Sequence, residues 1–285
     1  MSSTLSKVVS EGFPAIGRTL FRVGGLACIV GLYSIIPAAC VHWGVLKSLS
    51  AMPAEIPAAL TVVLGWLLVF RTNTSYARWW EARTLWGSLT NTIRNLAIKF
   101  ATLTPLTDHE RRQIRSALAR FPVVLKDHLR GSTTKDDLDA LPESVTKASH
   151  RPTALTETLY RKLQHWRESG GLDSTTLLVL DEDLRKLLEI TGGCERIQNT
   201  RLVRSYRGFA RQSVALYLAT LPWGLASDFG WWTIPLTAAL AYFMLGLETV
   251  AEHIEQPFGT DDDDLDLDGM CRNIRASVES VLYHS

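Results

Sequence analysis

The sequence predicts an all-α membrane protein with four transmembrane helices and a helical cytosolic domain. Three observations carry that expectation. Apolar residues concentrate in two regions near the chain ends, and charged residues concentrate between them. No segment alternates apolar and polar residues as a half-buried strand would. Basic residues gather on one side of the apolar runs, which orients them in a bilayer.

The first apolar run, Val23 to Leu46, is long enough to span ~30 Å of hydrocarbon. It is too long for a signal-peptide core and lacks a cleavage pattern, so it reads as a retained span. Pro37 is expected to kink it. The second run, Ala51 to Phe70, places Pro53 and Pro57 at its start, where proline is tolerated best. The polar string Arg71 to Arg83 follows at once, so the helix is expected to leave the membrane and continue into water. These first 70 residues form the opening segment of a division into 1–70, 71–212, 213–248 and 249–285.

The middle segment reads as helices. Leu85, Leu89, Ile93 and Leu96 recur at helical spacing within Thr84 to Thr102. Asp108 to Leu129, Thr153 to Glu168 and Ser174 to Arg196 follow. Arg130 to Pro152 is rich in turn formers and reads as a surface loop, and Gly170-Gly171 separates two helices. Gly192-Gly193 suggests a kink. The third and fourth apolar runs, Val214 to Ala226 and Trp231 to Leu247, form a membrane hairpin around Ser227-Asp228-Phe229-Gly230, with Trp223, Trp231 and Trp232 near one interface. Their shortness leaves a buried soluble helix pair as the alternative.

Lys7, Arg18 and Arg22 precede the first span. Arg71, Arg78 and Arg83 follow the second. Arg201, Arg204, Arg207 and Arg211 precede the third, whereas the outer loops hold only Lys47. The positive-inside rule then puts both termini and the charged middle in the cytosol, beneath the cytoplasmic membrane. A net charge of +1 over 285 residues gives no general attraction to nucleic acid. Cys28, Cys40, Cys194 and Cys271 form no C-x-x-C pair and read as free thiols.

Two features bear on function. Val62, Trp66 and Phe70 lie one helical turn apart and share a face, and Gly65 is expected to allow close approach of a neighbouring helix. Spacing alone leaves open whether the stripe packs against other helices or lines a pore built from several copies, where apolar rings gate ions by dewetting. The second feature is the acidic run after Pro257-Phe258-Gly259-Thr260. By composition it is either a solvated charge run or an oxygen-ligand cation site. Asp264 to Gly269 resembles the start of an EF-hand loop. Its twelfth position is Arg275 rather than the required Glu, and Leu265 and Leu267 have the character of buried residues, so that reading is rejected. No G-x-S-x-G, H-E-x-x-H, Walker A or G-x-G-x-x-G occurs, so enzyme chemistry and an organic cofactor are not expected. His253 with Glu252 and Glu255 is the one acid–base set in view, and it reads as a boundary cluster. A membrane-anchored scaffold binding a partner through the cytosolic helices is the main alternative to a channel.

Phe70-Arg71-x-Asn73 with Arg78-Trp79-Trp80-Glu81-Ala82-Arg83, then Gly192-Gly193-Cys194-Glu195-Arg196-Ile197, then Pro257-Phe258-Gly259-Thr260-Asp261 resemble the bacterial branch of the bestrophin family. Their order and spacing cover nearly the whole chain. The resemblance implies a homopentamer around one central pore that passes monovalent ions. It implies a pore neck at Val62, Trp66 and Phe70 and a cytosolic aperture at Leu178, with Leu177 the neighbouring choice. Trp66 departs from the smaller side chains usual in the family, and five indoles facing the axis would close the neck. The resemblance further implies a regulatory Ca²⁺ site using Asp261 and Asp264, with backbone carbonyls completing the shell and Thr260 replacing an acidic residue of animal members.

Overall fold

The computed structural model describes residues 21–45, 53, 55–132, 142–200, 203–261 and 263–283. Lys7, Arg18, Lys47 and Arg201, named above for charge, and Asp262 of the acidic run lie outside the described residues. Among the described residues every regular element is helical. In chain order these are α1 (Phe21–His42), α2 (Glu55–Leu103), α3 (Asp108–Arg130), α4 (Arg151–Glu168), α5 (Ser174–Asn199), α6 (Arg204–Phe229), α7 (Thr233–His253) and α8 (Leu267–Tyr283). A single helical turn, Glu143–Thr146, lies inside the segment expected to be loop.

Among the described residues, three stretches are long and apolar enough to cross a membrane: Phe21–His42, Glu55–Leu103 and Ser205–His253. The runs expected at 214–226 and 231–247 fall within the third. Only the 3-10 turn Gly230–Trp232 interrupts it, where Gly230 takes φ +51°. The break expected in α1 at Pro37 occurs one turn earlier. Proline brings no N–H to the preceding turn, and the helix is interrupted at Ser34, whose hydroxyl donates to the Gly31 carbonyl at 2.6 Å.

The chain divides into two compact units. The described residues within 1–77, 201–255 and 261–263 form the first, and those within 78–200, 256–260 and 264–285 form the second. In the first unit Leu64 and Leu68 of α2 pack with Val214, Tyr217, Leu218 and Leu221 of α6, Ala27 of α1 and Ala241 of α7. Small residues set the close approaches. A Cβ on Gly224 would lie 2.5 Å from Cγ of Pro57, and one on Gly31 would lie 3.0 Å from Cβ of Ala238. Gly65, expected to play this part, has open space where its Cβ would be. Polar side chains pair between helices: the Thr61 and Tyr217 hydroxyls are 2.6 Å apart, and the Trp223 indole donates to Tyr33 at 2.9 Å.

A charged cluster lies in the same unit. Arg71 of α2 is fully buried, and its Nη1 donates to Glu248 Oε1 at 2.9 Å. Arg211 Nε donates to the same oxygen at 2.9 Å, and Arg211 Nη2 donates to Glu252 Oε2 at 2.5 Å. Glu248 therefore neutralises a guanidinium that has no route to water.

The second unit has its own core. Ala82, Trp86, Leu89, Ile93, Leu96 and Phe100 descend α2 at alternating spacings of four and three, and all are buried. The inward faces of α3, α4, α5 and α8 close over them. Gly193 lies inside an unbroken α5. Its Cβ would come within 3.0 Å of Leu85, so this glycine allows close packing in place of the expected kink. A capping box opens α3, with Glu110 Oε2 accepting from the Thr107 hydroxyl at 2.6 Å and the Thr107 N–H at 2.9 Å. The Trp166 indole donates to Glu110 Oε1 at 2.6 Å.

The Thr107 hydroxyl, the Trp166 indole and the Thr107 amide hold the Glu110 carboxyl down from 4.5 to about 2. Its stabilising contribution is complete above 4.5 and disappears as pH falls through about 2. The thermal midpoint of Glu110→Gln should therefore converge on that of the parent protein across this interval, as scanning calorimetry would register. In the charged cluster, Glu248→Ala strands Arg71 and should cost about 3–5 kcal/mol. Glu252→Ala, at the exposed rim, should cost about 1 kcal/mol or less. Thermal unfolding in detergent ranks the two variants.

Candidate functional site

The stripe on α2 faces away from the rest of its own chain. Val62 is 64% exposed, Trp66 65% and Phe70 55%. Leu64 and Leu68, the buried positions, lie about 200° around the helix from Trp66 and pack into the core of the first unit. The Trp66 and Phe70 rings lean together, with centroids 5.5 Å apart and planes at 55°. Val63 and Val69 are exposed as well, so the uncovered apolar arc is broader than the stripe. Immediately beyond Phe70 the helix turns polar. The Thr72 and Thr74 hydroxyls donate back to the carbonyls of Leu68 and Phe70, at 2.9 and 2.8 Å. This satisfies them within the helix and leaves Val62, Trp66 and Phe70 as its prominent side chains.

Leu178 stands at the start of the second turn of α5. Asp173 caps that helix by accepting from the Thr175 and Thr176 amides. Leu177 packs against the core of the second unit, whereas Leu178 is 69% exposed.

The Pro257-Phe258-Gly259 segment is a defined turn. Leu265 N–H donates to the Pro257 carbonyl at 3.1 Å, and Gly259 N–H donates to the Gln256 carbonyl at 3.3 Å. The Phe258 ring is buried in the core, and its carbonyl accepts from Arg130 Nε at 3.1 Å. The carboxylates that follow have separate tasks. Asp264 is half-buried, with Oδ2 at 2.5 Å from the place a Cβ on Gly259 would take. Asp266 accepts from Gly269 N–H at 2.8 Å and so caps α8. Asp268 receives Lys126 at 2.8 Å and Arg130 at 3.1 Å, and Lys126 foremost holds its carboxyl below the usual range. Leu265 and Leu267 between them are buried. Of the residues that mimic an EF-hand in the sequence, Asp266 and Asp268 are thus spent on different partners. Asp261 lies on the surface.

His253, Glu252 and Glu255 do not act together. Glu252 pairs with Arg211, Glu255 lies 3.9 Å from Arg207, and His253 faces Asp263 at 3.4 Å. All four cysteines are free thiols. Burial pushes Cys194 and Cys271 up to about 12, which leaves them protonated and unreactive.

Among the described residues, three metal-ligating side chains converge within 4.8 Å at one place, His128, His150 and Glu195, and the acidic run has no such convergence. Sequence reasoning missed this group. Its members stand 45 and 67 residues from Glu195 on separate helices, so no local spacing announces them. It missed the Arg71–Glu248–Arg211 cluster for the same reason.

Residues 3–280 match the family profile described as Bacterial/Fungal Bestrophin protein. A voltage-dependent anion channel-forming protein of Mesorhizobium japonicum is 35% identical over 271 residues, covering 94% of this chain and 86% of that protein. One of the same description from Ralstonia nicotianae is 36% identical over 251 residues, covering 85% and 81%. The crystal structure of a bacterial bestrophin homologue from Klebsiella pneumoniae superposes with a TM-score of 0.84 at 27% identity, covering 92% of this chain and 98% of that one. Helical architecture, apolar spans and sequence agree, and the chain belongs to the bacterial and fungal branch of the bestrophin family of membrane proteins.

Proposed function

We propose that this chain is the subunit of a homopentameric, passive ion channel of the cytoplasmic membrane. Its neck is made by Val62, Trp66 and Phe70, and its cytosolic aperture by Leu178. One observation carries the reading. The stripe is an aromatic and aliphatic row on the membrane portion of α2, exposed on the face opposite that helix's packed side. Copies around an axis would cover it, and lipid would cover the rest of the uncovered arc. Rings of apolar side chains around a narrow path hold water poorly and make a gate. Trp66 is the bulkiest member, so it sets the narrowest ring.

The interruption at Gly230 supports a turn between two passes. Four spans then return both termini to the cytosol, as the basic residues favour. The names of the relatives support anions as the permeant class, and those names describe channel formers, not enzymes. Calcium regulation through Asp261 and Asp264 rests on the family resemblance.

Native mass spectrometry of the detergent-solubilised protein should give five subunits, and a monomer would refute the axial pore. In planar bilayers Trp66→Ala should raise the current about tenfold or more, which corresponds to removing about 1.4 kcal/mol from the barrier. Leu178→Ala should alter conductance while the pentamer persists. Reversal potentials in asymmetric NaCl should follow the chloride gradient. No current from reconstituted pentamers at any voltage would overturn the proposal. Separately, micromolar to millimolar Ca²⁺ should change the open fraction of the parent channel and leave that of an Asp261→Ala, Asp264→Ala double variant unchanged. An identical response in both would remove calcium from these residues.

A further inference from the structure

We propose that His128, His150 and Glu195 form a binding site for a divalent transition-metal ion of the zinc class, tying α3, α4 and α5 of the second unit together. The inference does not rest on the channel reading.

The three side chains come from three helices and meet at one point. His128 is in the last turn of α3, His150 is the N-cap of α4, and Glu195 lies toward the end of α5. Nε2 of His128 is 2.8 Å from Glu195 Oε1, and Nε2 of His150 is 2.5 Å from the same oxygen. The two imidazole rings are 4.6 Å apart between centroids. Side-chain exposures of 26%, 39% and 27% leave the group sheltered yet open to an ion and a water molecule. Two neutral nitrogens and one carboxylate are a donor set for zinc and its neighbours, and an open fourth position takes water. Calcium prefers a shell of six to eight oxygens, which this group lacks.

His150 carries a second signal. Ser, Thr, Asp and Asn are the preferred helix N-caps, yet here an imidazole caps α4, with Nδ1 accepting from the Thr153 amide at 3.3 Å. The Thr153 hydroxyl lies 2.7 Å from the same nitrogen. Without metal, both Nε2–H groups donate to Glu195. When the ion binds, each imidazole gives up its Nε2 proton through solvent and takes one at Nδ1, so neutral rings remain neutral. The new Nδ1–H of His150 then gives up the Thr153 amide and donates to the Thr153 hydroxyl, the kind of outer partner that orients a ligating histidine. A tetrahedral shell with bonds of about 2.0–2.2 Å separates ligand atoms by about 3.3–3.6 Å. The present 2.5 and 2.8 Å separations reach that by side-chain rotation.

The test uses the full-length protein in detergent, stripped with chelator and desalted, and titrated with Zn²⁺ against a chromophoric competitor. The expected result is one zinc per subunit, undisturbed by millimolar Ca²⁺. Thr153→Val should weaken binding ~10–100-fold, and Glu195→Gln and His150→Asn should weaken it further. Substitution of His165, exposed on α4, should leave it unchanged. X-ray absorption at the zinc edge of the unmutated protein should show two imidazole ligands with oxygen neighbours, a readout that no folding defect can mimic. Failure of the parent protein to retain zinc, sulfur ligation, or equal affinity in the Glu195 and His165 variants would overturn the site.

Discussion

One helix serves two cores, and that constraint governs the rest of the molecule. α2 runs unbroken from Glu55 to Leu103. At 1.5 Å per residue it is about 74 Å long, far more than the ~30 Å hydrocarbon layer requires. Its sequence must therefore bury a face in two different cores. In the first unit it does so with Leu64, Leu68 and Arg71, and in the second with the row from Ala82 to Phe100. The two packing problems differ. Apolar side chains lose little by facing lipid, so the first unit relies on close approach at glycines and on hydrogen-bonded pairs such as Thr61 with Tyr217. The second unit excludes water with aromatic and aliphatic bulk.

The same division explains where charge is placed. Arg71 is the first residue after the exposed stripe, and burying it there demands Glu248 from a distant part of the chain. A buried ion pair adds little net stability, but loss of one member leaves an uncompensated charge. The cluster thus fixes which parts of α2, α6 and α7 must meet. In the second unit Arg130 has a comparable part, joining the carbonyl of a buried Phe258 to the carboxylate of Asp268. It pins the turn that begins the acidic run.

How much of this was legible follows from range. The helices read at Thr84 to Thr102, Asp108 to Leu129, Thr153 to Glu168 and Ser174 to Arg196 announce themselves because their periodicity is local, and so do the shared face of Val62, Trp66 and Phe70 and the burial of Leu265 and Leu267, whereas the exposure of that face and the helix Leu267–Tyr283 were not foreseen. The continuity of α2 through the polar string was legible as well, since no proline or glycine stops it there. The hairpin runs were visible, whereas their union into one interrupted stretch was not, because a 3-10 turn has no strong signature. Gly65 and Gly193 show the limit from the other side. A glycine in a helix signals that a neighbour is close or that nothing is, and only the fold decides. The triad of His128, His150 and Glu195 lay beyond reach because residues on three helices share no local pattern.

Pro57 seated against Gly224 has a mechanical consequence. The proline ring occupies the space that any larger residue on α6 would need, at the point where α2 begins. A rigid ring in a notch resists sliding, since a shift along α6 brings it against residues with side chains. Translation of α2 past α6 is thereby opposed, and a motion that displaces Trp66 is easier when both helices move as one body or pivot about this joint like a lever on its pin.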